Sequence, residues 1–214
     1  MVHAVDLDIT SVNAFVNICQ LFLNACRLLK TLTIMSDNFR FSSIIDMLEK
    51  QAESLSNQVC LLYPNQTNPK IYATLTYKQL NEVTNHIAEK CFSHINSNSS
   101  GKKMVICCLA NSNVNYLLSI IALLKLEVIV FSLSIRNSEA ALIHLLEKSN
   151  ASYLFYDEQY SSIATKITAT FGSTIALHQL ENICISELIN LENSTFKPMT
   201  TQHDIDQCQI IFHR

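Results

Sequence analysis

Apolar and polar positions alternate along this chain in blocks of differing period. Val12, Phe15, Val16, Cys19, Phe22, Leu23, Cys26 and Leu29 fall on one side of a helical repeat, with Asn13, Asn17, Gln20, Asn24 and Arg27 opposite, which predicts an amphipathic helix. Ser42 and Ser43 then stand where caps belong, ahead of a second helix that turns Ile44, Ile45, Leu48, Ala52 and Leu55 inward and ends near Asn57. Residues 59–63 and 71–75 read as two strands joined by a polar turn over 64–70, an antiparallel hairpin. Thr76 opens a helix running to about Ile95, with Leu80, Val83, Ile87, Ala88 and Cys91 inward, before a loop of Asn, Ser and Gly101.

From residue 104 onward the pattern repeats in type. Continuous apolar runs at 104–110 and 128–133 suit strands buried on both faces, and each is followed by a cap and a helix: 111–113 ahead of a helix to Leu126, Ser138 ahead of a helix to Lys148. A strand over 152–156, a short helix over 158–171, a strand over 173–177 and a last strand over 208–212 continue the series, with a looser segment over 187–206. Such alternation predicts an α/β fold: a largely parallel sheet flanked by helices, preceded by the antiparallel hairpin.

Composition narrows the function. In 214 residues, 49% are apolar and 15% charged, enough apolar surface for a folded core. The net charge of −3, without a basic run, predicts neither a nucleic acid partner nor an anionic membrane surface. The apolar stretch over 12–32 carries Arg27, Lys30 and several amides, so no transmembrane segment is expected. Asp6 and Asp8 stand where a signal peptide would be positive, so the expected location is cytoplasmic. Three readings of residues 1–34 stay open: a helix packed on its own domain, an interfacial or partner-binding helix, or an extension ahead of a start at Met35, where Ser36 and Asp37 could cap. The domain division expected is therefore an amphipathic helical extension over 1–34 and one α/β unit over 35–214.

With two Gly in the chain, Gly101 and Gly172, neither glycine-rich phosphate loop can be written. The eight cysteines (Cys19, Cys26, Cys60, Cys91, Cys107, Cys108, Cys184 and Cys208) lack disulfide or zinc spacing and read as reduced core residues. Cys107 and Cys108, adjacent in a strand, should face opposite sides of the sheet. His203, Cys208 and His213 match no zinc pattern, and there is no Gly-x-Ser-x-Gly elbow. Sequons at Asn65, Asn98, Asn150 and Asn193 fit chance in an Asn- and Ser-rich chain.

In an open parallel sheet, ligands bind beyond the carboxyl ends of the strands. Here those positions are 111–113, 134–138, Asp157 and whatever follows Phe212. The first three are read as helix caps, with ligand contact as the rival.

These segments carry a resemblance. Leu75-Thr76-Tyr77-Lys78-Gln79-Leu80-Asn81, the run 105–111, the helix 116–126, Ser132-Leu133-Ser134-Ile135-Arg136-Asn137-Ser138 and Leu145-Leu146-Glu147-Lys148-Ser149 together resemble the N-terminal part of the adenylate-forming (AMP-binding) enzymes. That superfamily includes acyl-CoA synthetases and the adenylation domains of nonribosomal peptide synthetases and fungal aminoadipate-reductase-like enzymes. The likeness covers about 40–213, and Ile210-Ile211-Phe212-His213 resembles the strand that leads, in fungal members, into the phosphate loop. It implies a parent reaction in which ATP and magnesium convert a carboxylic acid to an acyl-adenylate, which passes to the thiol of CoA or a carrier protein. The phosphate loop, the magnesium and ribose carboxylates and the adenylating Lys would all lie beyond Arg214. No catalytic, cofactor-binding or metal-binding residue is therefore carried over, and no cofactor is expected for the chain by itself. Two positions depart from the family: Glu127 stands where members usually have a left-handed Gly, a substitution costing about 1 kcal/mol, and Ile135 where they often have Pro.

The leading expectation is thus a truncated N-terminal subdomain of an AMP-dependent synthetase, inactive alone. Its rivals are a non-catalytic interaction or regulatory module that keeps the fold and self-associates through exposed apolar surface, and an unrelated doubly wound protein lacking the hairpin.

Overall fold

A computed structural model describes residues 43–65, 68, 70–95, 104–181, 183–189 and, as backbone, 210–212. The helix expected over 12–32, the Met35 start, Cys19, Cys26, Cys208, His203, His213 and Gly101 lie outside the described residues.

The first helix, α1 (Ile44–Ser54), begins where a serine can cap it: Ser43 is extended and its Oγ accepts from the Asp46 amide at 3.0 Å. Ile45, Met47, Leu48 and Ala52 are buried on it, whereas Leu55 is its C-cap and only half-buried. Strands β1 (Val59–Pro64) and β2 (Tyr72–Thr76) pair antiparallel, confirming the hairpin; a bulge between Val59 and Leu61 lets Leu61, Tyr63 and Leu75 point inward together. Helix α2 (Tyr77–His94) opens on a capping box. Thr76 Oγ1 accepts from the Gln79 amide while Gln79 Oε1 accepts from the Thr76 amide, satisfying two otherwise orphaned donors. Leu80, Val83, Ile87, Ala88 and Cys91 are all buried, as their spacing predicts.

The second half is the alternating unit: β3 (Val105–Leu109), α3 (Val114–Lys125), β4 (Ile129–Ser132), α4 (Glu139–Ser149), β5 (Tyr153–Tyr156), α5 (Ser161–Ala169), β6 (Ala176–Gln179), α6 (Ile185–Ile189) and β7 (Ile210–Phe212). Five strands form one sheet in the order β6-β5-β3-β4-β7, and every pairing is parallel. A parallel sheet must be covered on both faces, and two hydrophobic clusters do so. Ile106, Cys108, Val130 and Phe155 pack with α1, α2, α3 and the hairpin on one face. Cys107, Leu109, Phe131, Leu154 and Tyr156 pack with α4 and α5 on the other. Cys107 and Cys108 thus face opposite sides, as strand geometry requires. Each fully buried Leu or Ile of these clusters contributes about 2 kcal/mol of transfer free energy, and the two clusters together supply the core.

Three boundaries differ from the sequence pattern. Strand β6 begins at Ala176 rather than 173, because the chain first closes α5 through a turn in which Gly172 takes φ +60°. The helix expected over 158–171 is a 3-10 turn (Glu158–Tyr160) followed by α5. The segment placed in a loose region from Glu187 includes part of the one-and-a-half-turn helix α6. The five described cysteines are free, but Cys184 is exposed and Cys60 half-buried, so the core reading holds for Cys91, Cys107 and Cys108.

Glu127 adopts φ 56°, the left-handed conformation that a glycine takes without penalty, and it directly follows the C-cap of α3. Asn150 does the same after α4 at φ 51°, where its residue type tolerates that region. Replacing Glu127 with Gly is therefore expected to raise the unfolding free energy by about 0.5–1 kcal/mol in urea denaturation, whereas Asn150→Gly should change it by no more than a few tenths.

Candidate functional site at the carboxyl ends of the strands

The chain leaves β3 toward one face of the sheet, into α3, and leaves β4 and β5 toward the other, into α4 and α5. The neighbouring ends of β3 and β5 therefore flank the crevice in which open α/β sheets hold ligands. Here that crevice is bridged by the chain itself. The Asn111 amide donates to Asp157 Oδ2 at 2.8 Å, the Tyr160 hydroxyl donates to Asn111 Oδ1 at 2.6 Å, and the Asp157 amide donates to the Leu109 carbonyl at 3.1 Å.

Asp157 is accordingly not the side-chain cap read from the sequence: it opens the 3-10 turn without capping it and links two strand ends instead. Burial pushes its carboxyl above the usual aspartate range, against the opposing pull of the Asn111 amide and the Gln159 side chain. A raised folded-state value means that the stability tied to this group is present in full below pH 3.8 and is lost as pH rises through that raised value.

The other two expected positions hold as caps. Asn113 Oδ1 accepts from the Tyr116 amide at 2.9 Å to start α3, and Ser138 Oγ accepts from the Ala141 amide at 3.3 Å to start α4. Ser134 Oγ accepts from the Arg136 amide at 3.3 Å and shapes the turn after β4. One buried polar atom at this edge, Asn137 Nδ2, has no hydrogen-bond partner, and it is neutral. A triphosphate needs several convergent amide donors and positive charge, whereas the asparagines, serines and aspartate here are committed to one another or uncharged. As they stand, these residues do not fit ATP with magnesium.

A second polar cluster escaped the sequence reading. Lys125, at the end of α3, is 2% exposed and donates from Nζ to the Asn81 carbonyl (3.2 Å), Asn81 Oδ1 (2.6 Å) and Asn85 Oδ1 on α2. Burial lowers its ammonium to about 8, with Glu49 on α1 pulling it back up. Glu49 is in turn raised, chiefly by burial, and its Oε1 lacks a hydrogen-bond partner. The folded-state value of Lys125 is depressed, so its stability contribution is complete above pH 10.5 and lost as pH falls through about 8. At neutral pH the lysine is a standing cost offset by three hydrogen bonds that tie α2 to α3. Its signal in the sequence was a single cation after the apolar run 117–124, easily read as the polar end of a helix. Among the described residues, no group of three His, Cys, Asp or Glu is placed to hold a metal ion, and no helix is long and apolar enough to cross a membrane.

Comparison with solved structures relates this architecture to known proteins. A fatty acyl CoA synthetase from Mycobacterium tuberculosis superposes with a TM-score of 0.60 at 16% identity, over 80% of this chain and 32% of that one. The N-terminal domain of FACL13 from the same organism gives 0.60 at 15% identity, over 81% and 41%. The O-succinylbenzoate Coenzyme A synthetase of Bacillus subtilis, solved with ATP and magnesium, gives 0.50 at 18%, over 69% and 34%. This chain shares its fold with the N-terminal part of these synthetases. It spans about a third of the length of the whole synthetases it matches. The sequence matches no protein-family model and no curated protein. In this fold the bridge between β3 and β5 spans the crevice beyond the strand ends.

Removing the bridge should loosen that edge. Asp157→Ala is expected to lower the unfolding free energy by about 1–2 kcal/mol, and Tyr160→Phe by about 1 kcal/mol, because each leaves a half-buried partner unpaired. Asp157→Asn keeps an acceptor for the Asn111 amide and should be nearly neutral at pH 7, measured by urea titration of each variant.

Proposed function

We propose that this chain is the N-terminal subdomain of an AMP-dependent synthetase or ligase, and that it is inactive by itself. The parent reaction would take a carboxylic acid and ATP with magnesium to an acyl-adenylate, then to a thioester with the thiol of CoA or a carrier protein. The observation that carries this reading is the fold: an antiparallel hairpin ahead of a parallel sheet ordered β6-β5-β3-β4-β7, superposing on about a third of a fatty acyl CoA synthetase. Inactivity is supported by the chemistry of the strand ends, where Asn111, Asn113, Ser138 and Asp157 satisfy one another and the helices. Two glycines in 214 residues leave no glycine-rich loop to cradle phosphates. The division into an extension over 1–34 and an adenylation subdomain over 35–214 is part of the same proposal.

A second reading, a non-catalytic module that self-associates, is favoured by the hairpin. Val59, Leu62, Ile71 and Tyr72 are 57–61% exposed and lie on its two strands or at its turn. Large apolar side chains grouped in this way mark a contact surface.

The pure 214-residue chain is expected to show no ATP–pyrophosphate exchange with any carboxylic acid offered; measurable exchange would refute the inactivity. Transcript sequencing past codon 214 tests the parent. A frame that continues into a Ser/Thr/Gly-rich run followed by Lys supports the synthetase, whereas a stop codon there, with dimers in sedimentation velocity, favours the module.

A further inference from the structure

The last turn of α2 meets the edge strand of the sheet through aromatic rings. His94 lies with its ring centroid 4.6 Å from that of His178 on β6, and His178 lies 4.5 Å from Phe155 on β5. Beside them is a cavity of about 150 Å³ between α2, α3, the turn after β6 and α6. β6 pairs with β5 alone and is the outermost strand, so it can leave without breaking another pairing. The chain after it, through Ile183 and Ile185, is packed into the core beside α2.

We propose that the His94–His178 contact is an acid-operated latch: with both rings neutral it holds β6 and α6 against α2, and protonation releases these two elements while the rest of the sheet stays folded. Two imidazolium ions in ring contact repel, and His178 would carry its charge half-buried against Phe155. Consistently, burial and His94 hold His178 below the ordinary histidine range, with Glu181 pulling the other way. A depressed folded-state value makes this contact fully stabilising above pH 6.5 and weaker as pH falls through that value.

The surrounding charges do not reverse the sign. From α2, Lys90 and His86 also line the cavity, one and two turns before His94, and neither brings negative charge. From the turn after β6, Glu181 could attract the imidazolium ions, but it already accepts from Lys90 Nζ at 2.8 Å and its side chain is 56% exposed, so its pull is screened. From α6, Glu187 lines the same cavity but is exposed, so its pull is screened as well; Cys184, just before α6, is exposed, and from α2 the Cys91 thiol, pushed up to about 12 by burial, stays neutral. Ser119, from α3, is uncharged.

Hydrogen exchange followed by mass spectrometry on the 214-residue chain tests the latch, with rates corrected for the intrinsic effect of pH. Between pH 7.5 and about 5, protection of peptides covering β6 and α6 should fall about tenfold while β3 and β4 change little, the pattern of a local rather than global opening. His178→Phe, which keeps a ring against Phe155, and His94→Gln should each remove most of that fall. Three results overturn the proposal: no fall in the native chain, an equal fall in β3, or a fall that persists in both variants.

Discussion

The structure depends on covering both faces of a parallel sheet whose central strand, β3, is buried almost throughout. Ile106, Cys107, Cys108 and Leu109 are each at most 1% exposed, and they alternate between two cores. That demand explains why helices flank the sheet on both sides and why the hairpin and α1 join α2 and α3 on one of them. Of the polar side chains that enter the interior, Lys125 bonds to Asn81 and Asn85 on another helix and the half-buried Asp157 bonds to the Asn111 amide, whereas Glu49 Oε1 and Asn137 Nδ2 have no partner.

Those exceptions divide by what they connect. Lys125 joins two helices of the same layer through Asn81 and Asn85, so it fixes how α2 and α3 pack. Asp157 joins two strand ends across the crevice, with Tyr160 completing the bridge through Asn111. The first arrangement is compatible with any function of the fold. The second lies at the crevice where open sheets hold ligands, and there Asn111, Asp157 and Tyr160 are engaged with each other.

Much of the architecture was legible because period and caps agreed. Ser43, Thr76, Asn113 and Ser138 each start the helix their position predicts, and the apolar runs around β3 and β4 suited strands buried on both faces. Glu127 was visible through the family resemblance alone, whose members usually have Gly there, and it does take the left-handed conformation. What stayed hidden depends on contacts between residues distant in sequence. Asp157 looks like a cap because aspartate before a helix commonly is one, and its partner lies 46 residues away. Lys125 finds Asn85 at a separation of 40, and His178 finds His94 only because β6 lies at the sheet edge beside α2. Local propensity carries no information on such pairings.

The central claim is that the crevice between β3 and β5 is closed by the chain's own side chains. Titrating the isotope-labelled chain with ATP and magnesium while following backbone amide resonances tests it most directly. The account predicts that the amides of Asn111, Asn113 and Asp157 stay where they are. Saturable shifts centred on those three residues would show the crevice open to the nucleotide and would contradict it.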